Sequence, residues 1–173
     1  NGCMARCAYC GLNGGREGAY RGKSFIRVSW PTYPLDEIIE RIRLRRDRVK
    51  RICISMVTRK RAVADTIEIC SRLRRSFDVP VSLLIAPTVL KYDDLVAFRK
   101  AGADKIGVAI DLATEKLFDK YRGKGVCGPH RWKRYWACLE ESLELFGKGN
   151  AGPHFMVGMG ETEEEILETM DDL

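Results

Sequence analysis

The chain has 173 residues, 45% of them apolar and 31% charged, a globular balance with length enough for one hydrophobic core. No apolar run approaches the ~18 residues of a membrane span, so no membrane partner is expected. The net charge of +6 admits nucleic acid or anionic cofactors, but RIRLRRDRVKR (41–51), RKR (59–61) and RLRR (72–75) read as solvated helix faces without an aromatic-interleaved RNA motif, so nucleic acid is not expected.

In chain order the first element is NGCMARCAYCGL, which spaces Cys3, Cys7 and Cys10 as C-x₃-C-x₂-C. Pro34 suits a helix start, and Leu35, Ile38, Ile39 and Ile42 follow at helical spacing. ICISMV (52–57) is a short unbroken apolar run, the pattern of a parallel strand covered on both faces. Val63, Ile67, Cys70, Leu73 and Phe77 mark an amphipathic helix, and VPVSLLIA (79–86) a second strand. Leu95, Val96 and Phe98 belong to a short helix stopped by Gly102, and KIGVAI (105–110) is a third strand. A helix begins near Thr114, the loop RGKGVCGP spans 122–129, and a longer helix covers 131–146. HFMVGMG (154–160) reads as a fourth strand and its turn, and Thr162 with Glu165 forms a capping box for a last helix.

This alternation predicts one α/β domain over 1–173 with a parallel sheet: a partial (β/α) TIM-like barrel, with function at the strand C-termini. A flat doubly wound sheet is the alternative. The Gly-rich turns match neither a dinucleotide-binding fingerprint nor a P-loop. The chain opens on Asn1, and ETEEEILETMDDL reads as a helix still in progress. A fragment is therefore expected, lacking a strand before Asn1 and further chain after Leu173.

The seven Cys are odd in number and unevenly spaced, which fits a reducing cytoplasm better than a secreted disulfide framework. Three of them within eight residues call for a metal. A structural zinc needs four ligands, and the only His residues, His130 and His154, lie far away in sequence. An iron–sulfur cluster explains the spacing better. Three thiolates around a [4Fe-4S] cube leave one iron open to a small molecule.

CMARCAYC resembles the signature of the radical S-adenosylmethionine (radical SAM) superfamily, C-x₃-C-x-Φ-C, with Tyr9 at the aromatic position. The resemblance implies that Cys3, Cys7 and Cys10 hold a [4Fe-4S] cluster whose open iron is chelated by S-adenosyl-L-methionine, with Tyr9 near the adenine. One electron, from a donor such as a ferredoxin or flavodoxin, then cleaves the cofactor to a 5′-deoxyadenosyl radical that takes hydrogen from substrate. No catalytic residue beyond the cluster ligands is implied.

Further stretches are similar to family motifs. MVGMGETEEEI resembles a fifth-strand motif that places Gly158 by the adenine and Glu161 and Thr162 at the helix start, although His154 stands where the family often has Gly. KIGVAIDLATEKLF resembles the fourth strand, which puts Asp111 on the ribose hydroxyls. RICISMVTRK resembles the second strand without its usual Gly-Gly-Glu, so Ser55, Met56 and Val57 would meet the cofactor's amino group through backbone carbonyls. His130 and Arg131 are partners for the methionine carboxylate.

Two subfamilies compete. Together with RICISMVT, RGKGVCGPHRW and VGMGETEEE, the cysteine motif is similar to a subunit of archaeal-type two-component lipoyl synthase. That likeness implies sulfur insertion into an octanoyl chain on a lipoyl-domain carrier protein, with a second synthase subunit. In biotin synthase a second cluster inside the barrel takes three Cys; here Cys53 matches the first, while Val81 and Ser82, and Gly152, stand for the others. Cys70 and Cys138 read as core, and Cys127 as the best remaining candidate for a second metal site. A biotin synthase-like enzyme acting on a different small molecule is the alternative reading, and a zinc or iron–sulfur binding module is the non-enzyme alternative.

Overall fold

The computed structural model describes residues 3–12 and 32–173. Helix α1 (Leu35–Arg43) follows Pro34, with Asp36 and Glu37 in its first turn and Arg41 and Arg43 in its last, each sign placed to suit the helix dipole. Strand β1 (Ile52–Ser55) leads through helix α2 (Ala62–Ser76) to strand β2 (Val81–Ile85). Helix α3 (Tyr92–Lys100) and strand β3 (Ala103–Asp111) follow. Helix α4 (Glu115–Tyr121) is capped by the Thr114 hydroxyl, which accepts from the Leu117 N–H. Helix α5 (Trp132–Phe146), strand β4 (Ala151–Phe155) and helix α6 (Glu163–Asp171) complete the order, and α6 opens on the expected Thr162–Glu165 capping box.

The four strands among the described residues are parallel and stand in chain order, β1-β2-β3-β4. Each new strand is added on the same side, as in a barrel wall; a doubly wound sheet reverses at a switch point. Alternate residues give the two faces different surroundings. Val81, Leu83, Ile85, Ile106, Val108 and Ile110 are at most 3% exposed and pack with Cys70, Leu95, Phe98, Tyr135 and Cys138 from the helices. The opposite face, with Cys53, Ser82, Lys105, Gly107 and Gly152, borders an open concavity of about 410 Å³. Helices on one face and an open concave face on the other make this a section of a (β/α) barrel.

Two strand bounds differ from the sequence expectation in ways that matter. β1 ends at Ser55, so Met56 to Thr58 form a loop rather than strand. β4 lies at 151–155 rather than 154–160, because Gly158 and Gly160 take positive φ (92° and 108°) and turn the chain. Pro153 within β4 is tolerated because β4 is the last strand of the described sheet, with a neighbour on one side only. No helix among the described residues is long and apolar enough to cross a membrane.

Candidate functional site

The cysteine segment 3–12 runs across the C-terminal ends of the strands. It has no helix or strand of its own, so its position is set by what it touches. The Met4 N–H donates to the Thr58 carbonyl just after β1 (2.7 Å), and the Ala8 N–H to the Tyr121 carbonyl at the end of α4 (2.7 Å). The Cys3 N–H reaches the Leu12 carbonyl (3.2 Å) and closes the loop on itself. Two further backbone N–H groups point at sulfur: Thr58 to Cys3 Sγ (3.3 Å) and Leu12 to Cys10 Sγ (3.5 Å). Such donors stabilise thiolate character at a metal centre.

All three thiols line one cavity of about 210 Å³. Its wall comes from the strand ends and the loops after them: Met56 to Thr58, Leu84 and Ala86, Ala109 and Asp111, His154 and Met156. Burial pushes the Cys7 thiol up to about 11 and raises that of Cys10, so loading a metal has to displace their protons. Among the described residues no three of His, Cys, Asp and Glu gather closely enough for a single metal ion. Zinc would draw its thiolates to within about 4 Å of one another, whereas a four-iron cube holds them farther apart in one cavity. Three thiols lining one cavity are a donor set that suits an iron–sulfur cluster.

Beneath the thiols lies a buried polar network centred on Asp111, which has a left-handed backbone (φ 69°). Its Oδ2 accepts from the Tyr9 hydroxyl (2.8 Å) and from Arg122 Nη1 (2.7 Å), and its Oδ1 faces His154 Nδ1 (3.2 Å). Burial alone would raise the Asp111 carboxyl; the bond to His154, the charge of Arg122 and the bond from Tyr9 outweigh it and hold it below its ordinary value. His154 is raised in turn, chiefly by that same hydrogen bond. Arg122 is 3% exposed, and it also donates to the carbonyls of Ala109 and Ile110 and to the Tyr135 hydroxyl.

The network continues to His130, whose Nδ1 faces two hydroxyls, Thr88 Oγ1 (2.5 Å) and Tyr135 (2.8 Å). Either hydroxyl can accept from a protonated Nδ1 or donate to a bare one, so the pair holds the neutral ring in place. Burial, reinforced by Arg122, drives its pKa down to about 3.

Of the residues singled out from sequence, Tyr9, Met56, Val57, Asp111 and His130 line the cavity with the three cysteines, and Ser55, Arg131, Gly158 and Glu161 do not. Ser55 ends β1 in register with Leu84. Arg131 Nη1 is turned to the carbonyls of Gly128 (2.9 Å) and His130 (2.7 Å). His130, expected as a second partner for a carboxylate, is buried and neutral. Glu161 caps its own turn, accepting from the N–H groups of Gly158 (2.5 Å) and Met159 (2.8 Å).

Cys53 lies on the concave face in register with Ser82, which pairs with Lys105. Cys127 is exposed in a left-handed turn (φ 50°), away from the cavity. Arg122, Thr58 and Tyr135 escaped sequence reasoning. Arg122 sits in a stretch read only as a Gly-rich loop, and its partners lie at 109–111 and 135, with no local signal of them.

A family profile described as the Radical SAM superfamily matches residues 1–173. No curated protein sequence matches the chain. Among solved structures, methylornithine synthase (PylB) superposes with a TM-score of 0.74 at 13% identity, over 98% of this chain and 46% of that one. The FeFe-hydrogenase maturase HydG from Carboxydothermus hydrogenoformans gives 0.72 at 16% identity, over 98% of this chain and 38% of that one. At these identities the likeness is one of fold, and the chain spans less than half the length of either structure.

Proposed function

Because this chain belongs to the radical SAM superfamily, we propose that residues 1–173 are part of the core domain of an enzyme that cleaves S-adenosyl-L-methionine reductively and takes hydrogen from a substrate held against the concave face of the sheet. The observation that carries this reading is the meeting of Cys3, Cys7, Cys10, Tyr9 and Asp111 in one cavity at the C-terminal ends of parallel strands. When bound, a [4Fe-4S] cluster and S-adenosylmethionine supply the electron transfer and the carbon radical.

The chain's own residues hold and enclose. Cys3, Cys7 and Cys10 are the ligands, and the N–H groups of Thr58 and Leu12 support two of their sulfurs. Tyr9 fixes the loop on Asp111. Asp111, which lines the cavity and shares its Oδ1 with His154, is the acceptor for a ribose hydroxyl, and the carbonyls following β1 serve the amino group. Leu84, Ala86, Ala109 and Met156 form the apolar wall that excludes water.

The finer reading, lipoyl synthase-like sulfur insertion into an octanoyl chain on a carrier protein, draws its support from the sequence likeness of the four motifs. A biotin synthase-like second cluster draws less, since the matching positions on the concave face carry one thiol, Cys53, beside Ser82 and Gly152. Anaerobic iron reconstitution of the full-length protein tests the core proposal. About four irons per chain and dithionite-dependent release of 5′-deoxyadenosine are expected; one bound zinc and no cleavage would overturn it. Mass spectrometry of an octanoyl-lysyl peptide after turnover separates the finer reading, which requires sulfur in the product.

A further inference from the structure

The concave face of the sheet carries a charge pattern that enclosing a radical does not require. Cys53 of β1 stands in register with Ser82 of β2, and Ser82 with Lys105 of β3, so the three lie abreast on that face. In the next row toward the thiols, Gly107 pairs with Gly152 beside Leu84, and neither glycine carries a side chain. A Cβ on Gly152 would meet nothing within 4 Å. Open space over bare backbone therefore separates Lys105 from the strand ends.

Two residues, Leu84 and His154, line both this concavity and the cavity of the three thiols, so the two spaces adjoin. Ala109 belongs to the thiol cavity. From Lys105 to Ala109 is about 13 Å of strand, four steps of about 3.3 Å. A molecule of several carbons laid along β3 would have one end at Lys105 and the other at the thiol cavity.

Charge decides which molecule fits. Lys105 Nζ donates to the Gly149 carbonyl (2.9 Å), and an ammonium has three donors, so two remain for a ligand. Among the described residues no Asp, Glu or Arg lines the concavity. The neighbouring Asp104 is held by both Nη atoms of Arg51 (2.5 and 2.8 Å). His154, the other basic residue of the wall, faces Asp111, which offsets any charge it carries. Lys105 is thus left as a cation without a carboxylate partner, at one end of a floor made of Leu84 and glycine backbone. A phosphate would call for an Arg fork or a cradle of backbone N–H groups. A substrate ammonium would find no counter-charge on this wall. A carboxylate with an apolar body matches both the cation and the floor.

We propose that Lys105 is the specificity-determining residue of the substrate site, anchoring the carboxylate of a small molecule whose apolar body lies over Gly107 and Gly152 toward the thiol cavity. This inference rests on the radical SAM reading given above, which sets the substrate against this face, and is independent of the lipoyl synthase-like reading.

Cys53, exposed and in the same row as Lys105, reports on the site. The test alkylates the reconstituted full-length protein with iodoacetate or with its neutral counterpart iodoacetamide, and follows Cys53 and Cys127 separately by peptide mass spectrometry. The ratio of the two rates cancels any effect of Lys105 on the thiol itself. At Cys53 the iodoacetate-to-iodoacetamide ratio should fall about threefold or more in Lys105→Gln. At Cys127, away from the concavity, it should stay unchanged. Hexanoate should slow iodoacetamide labelling of Cys53 in the parent, whereas hexanamide and hexylamine should not. Lys105→Gln should lose that protection and Lys105→Arg should keep it, which separates the charge from a merely structural role. Equal ratios in parent and Lys105→Gln, protection by hexanamide or hexylamine as strong as by hexanoate, or a Cys53 that neither reagent reaches overturns the proposal. Absence of dithionite-dependent 5′-deoxyadenosine release in the parent is a different result: it sinks the radical SAM reading and is read without reference to the labelling.

Discussion

Replacing Arg122 with Met tests the claim that the Asp111 network fixes the cysteine loop. The side chains of Arg122 and Asp111 are 4% and 14% exposed, and their 2.7 Å contact is an ion pair almost withdrawn from water. Met fills much of the same volume but strands the Asp111 carboxylate on Tyr9 and His154, and it deprives Tyr135 and two backbone carbonyls of a donor. Breaking one side of a buried pair costs about 3–5 kcal/mol. That is a large share of the roughly 5–15 kcal/mol that holds a domain together. Urea unfolding of the metal-free full-length protein, followed by tryptophan fluorescence, measures it.

The companion variant Asp111→Asn removes the charge that Arg122→Met leaves behind. The double variant should therefore lose about 2 kcal/mol less than the sum of the singles. A loss below about 1 kcal/mol in Arg122→Met, or strict additivity in the double variant, would refute the argument, because the pair would then behave as a solvated surface contact.

His130 gives a pH signature. Its folded pKa is about 3, whereas the unfolded chain takes up that proton near pH 6.5; the folded state thus loses about 2 kcal/mol from this group between neutrality and pH 5. His130→Gln should flatten that loss in urea unfolding at pH 7 and pH 5, and equal slopes in parent and variant would count against a neutral buried imidazole. His154, raised in the folded state, acts with the opposite sign in both proteins and cancels in the difference. Cys3→Ala, Cys7→Ala and Cys10→Ala should each abolish iron retention measured after reconstitution. Cys138→Ala, at a fully buried core position, should keep the iron and lose about 1–2 kcal/mol of stability. Gly128→Ala should destabilise by about 2 kcal/mol or more, because its Cβ would lie 2.2 Å from the Arg122 carbonyl. Gly158→Ala meets no atom within 4 Å and should cost only about 1 kcal/mol for its positive φ, readable as a smaller shift in melting temperature.

What was legible in the sequence is what local chemistry encodes. Three apolar runs announced β1 to β3, because strands covered by helices need apolar side chains whatever lies far along the chain. The capping box at Thr162 was visible because both partners sit within one turn. The cysteine spacing was visible for the same reason. β4 was started three residues late because Ala-Gly-Pro lacks the apolar signal of a strand, while HFMVGMG, whose first two residues end β4, has it and turns at Gly158 and Gly160. Arg122 and His154 stayed hidden because their roles depend on Asp111, which only the fold brings beside them. Arg131 was chosen for its chemistry; the local turn, with the Gly128 and His130 carbonyls in reach, claims its guanidinium first.

The same distinction orders the assembly of the site. Segment 3–12 makes its contacts with Thr58, Asp111 and Tyr121, which follow β1, end β3 and end α4 respectively. Each contact closes a long stretch of chain, and that entropic cost is incurred before any contact offsets it. The loop therefore settles only on a sheet already formed. Once settled, it holds Cys7 buried and Cys10 half-buried, with both thiols raised; on the proposed function iron enters by displacing their protons. Metal affinity then depends on how firmly the protein holds the loop before metal arrives. Tyr9, anchored through Asp111 to Arg122 in the core, is the side chain that ties the cysteine segment to the interior, so a substitution at Arg122, far from any of the three thiols in sequence, reaches that segment through two hydrogen bonds.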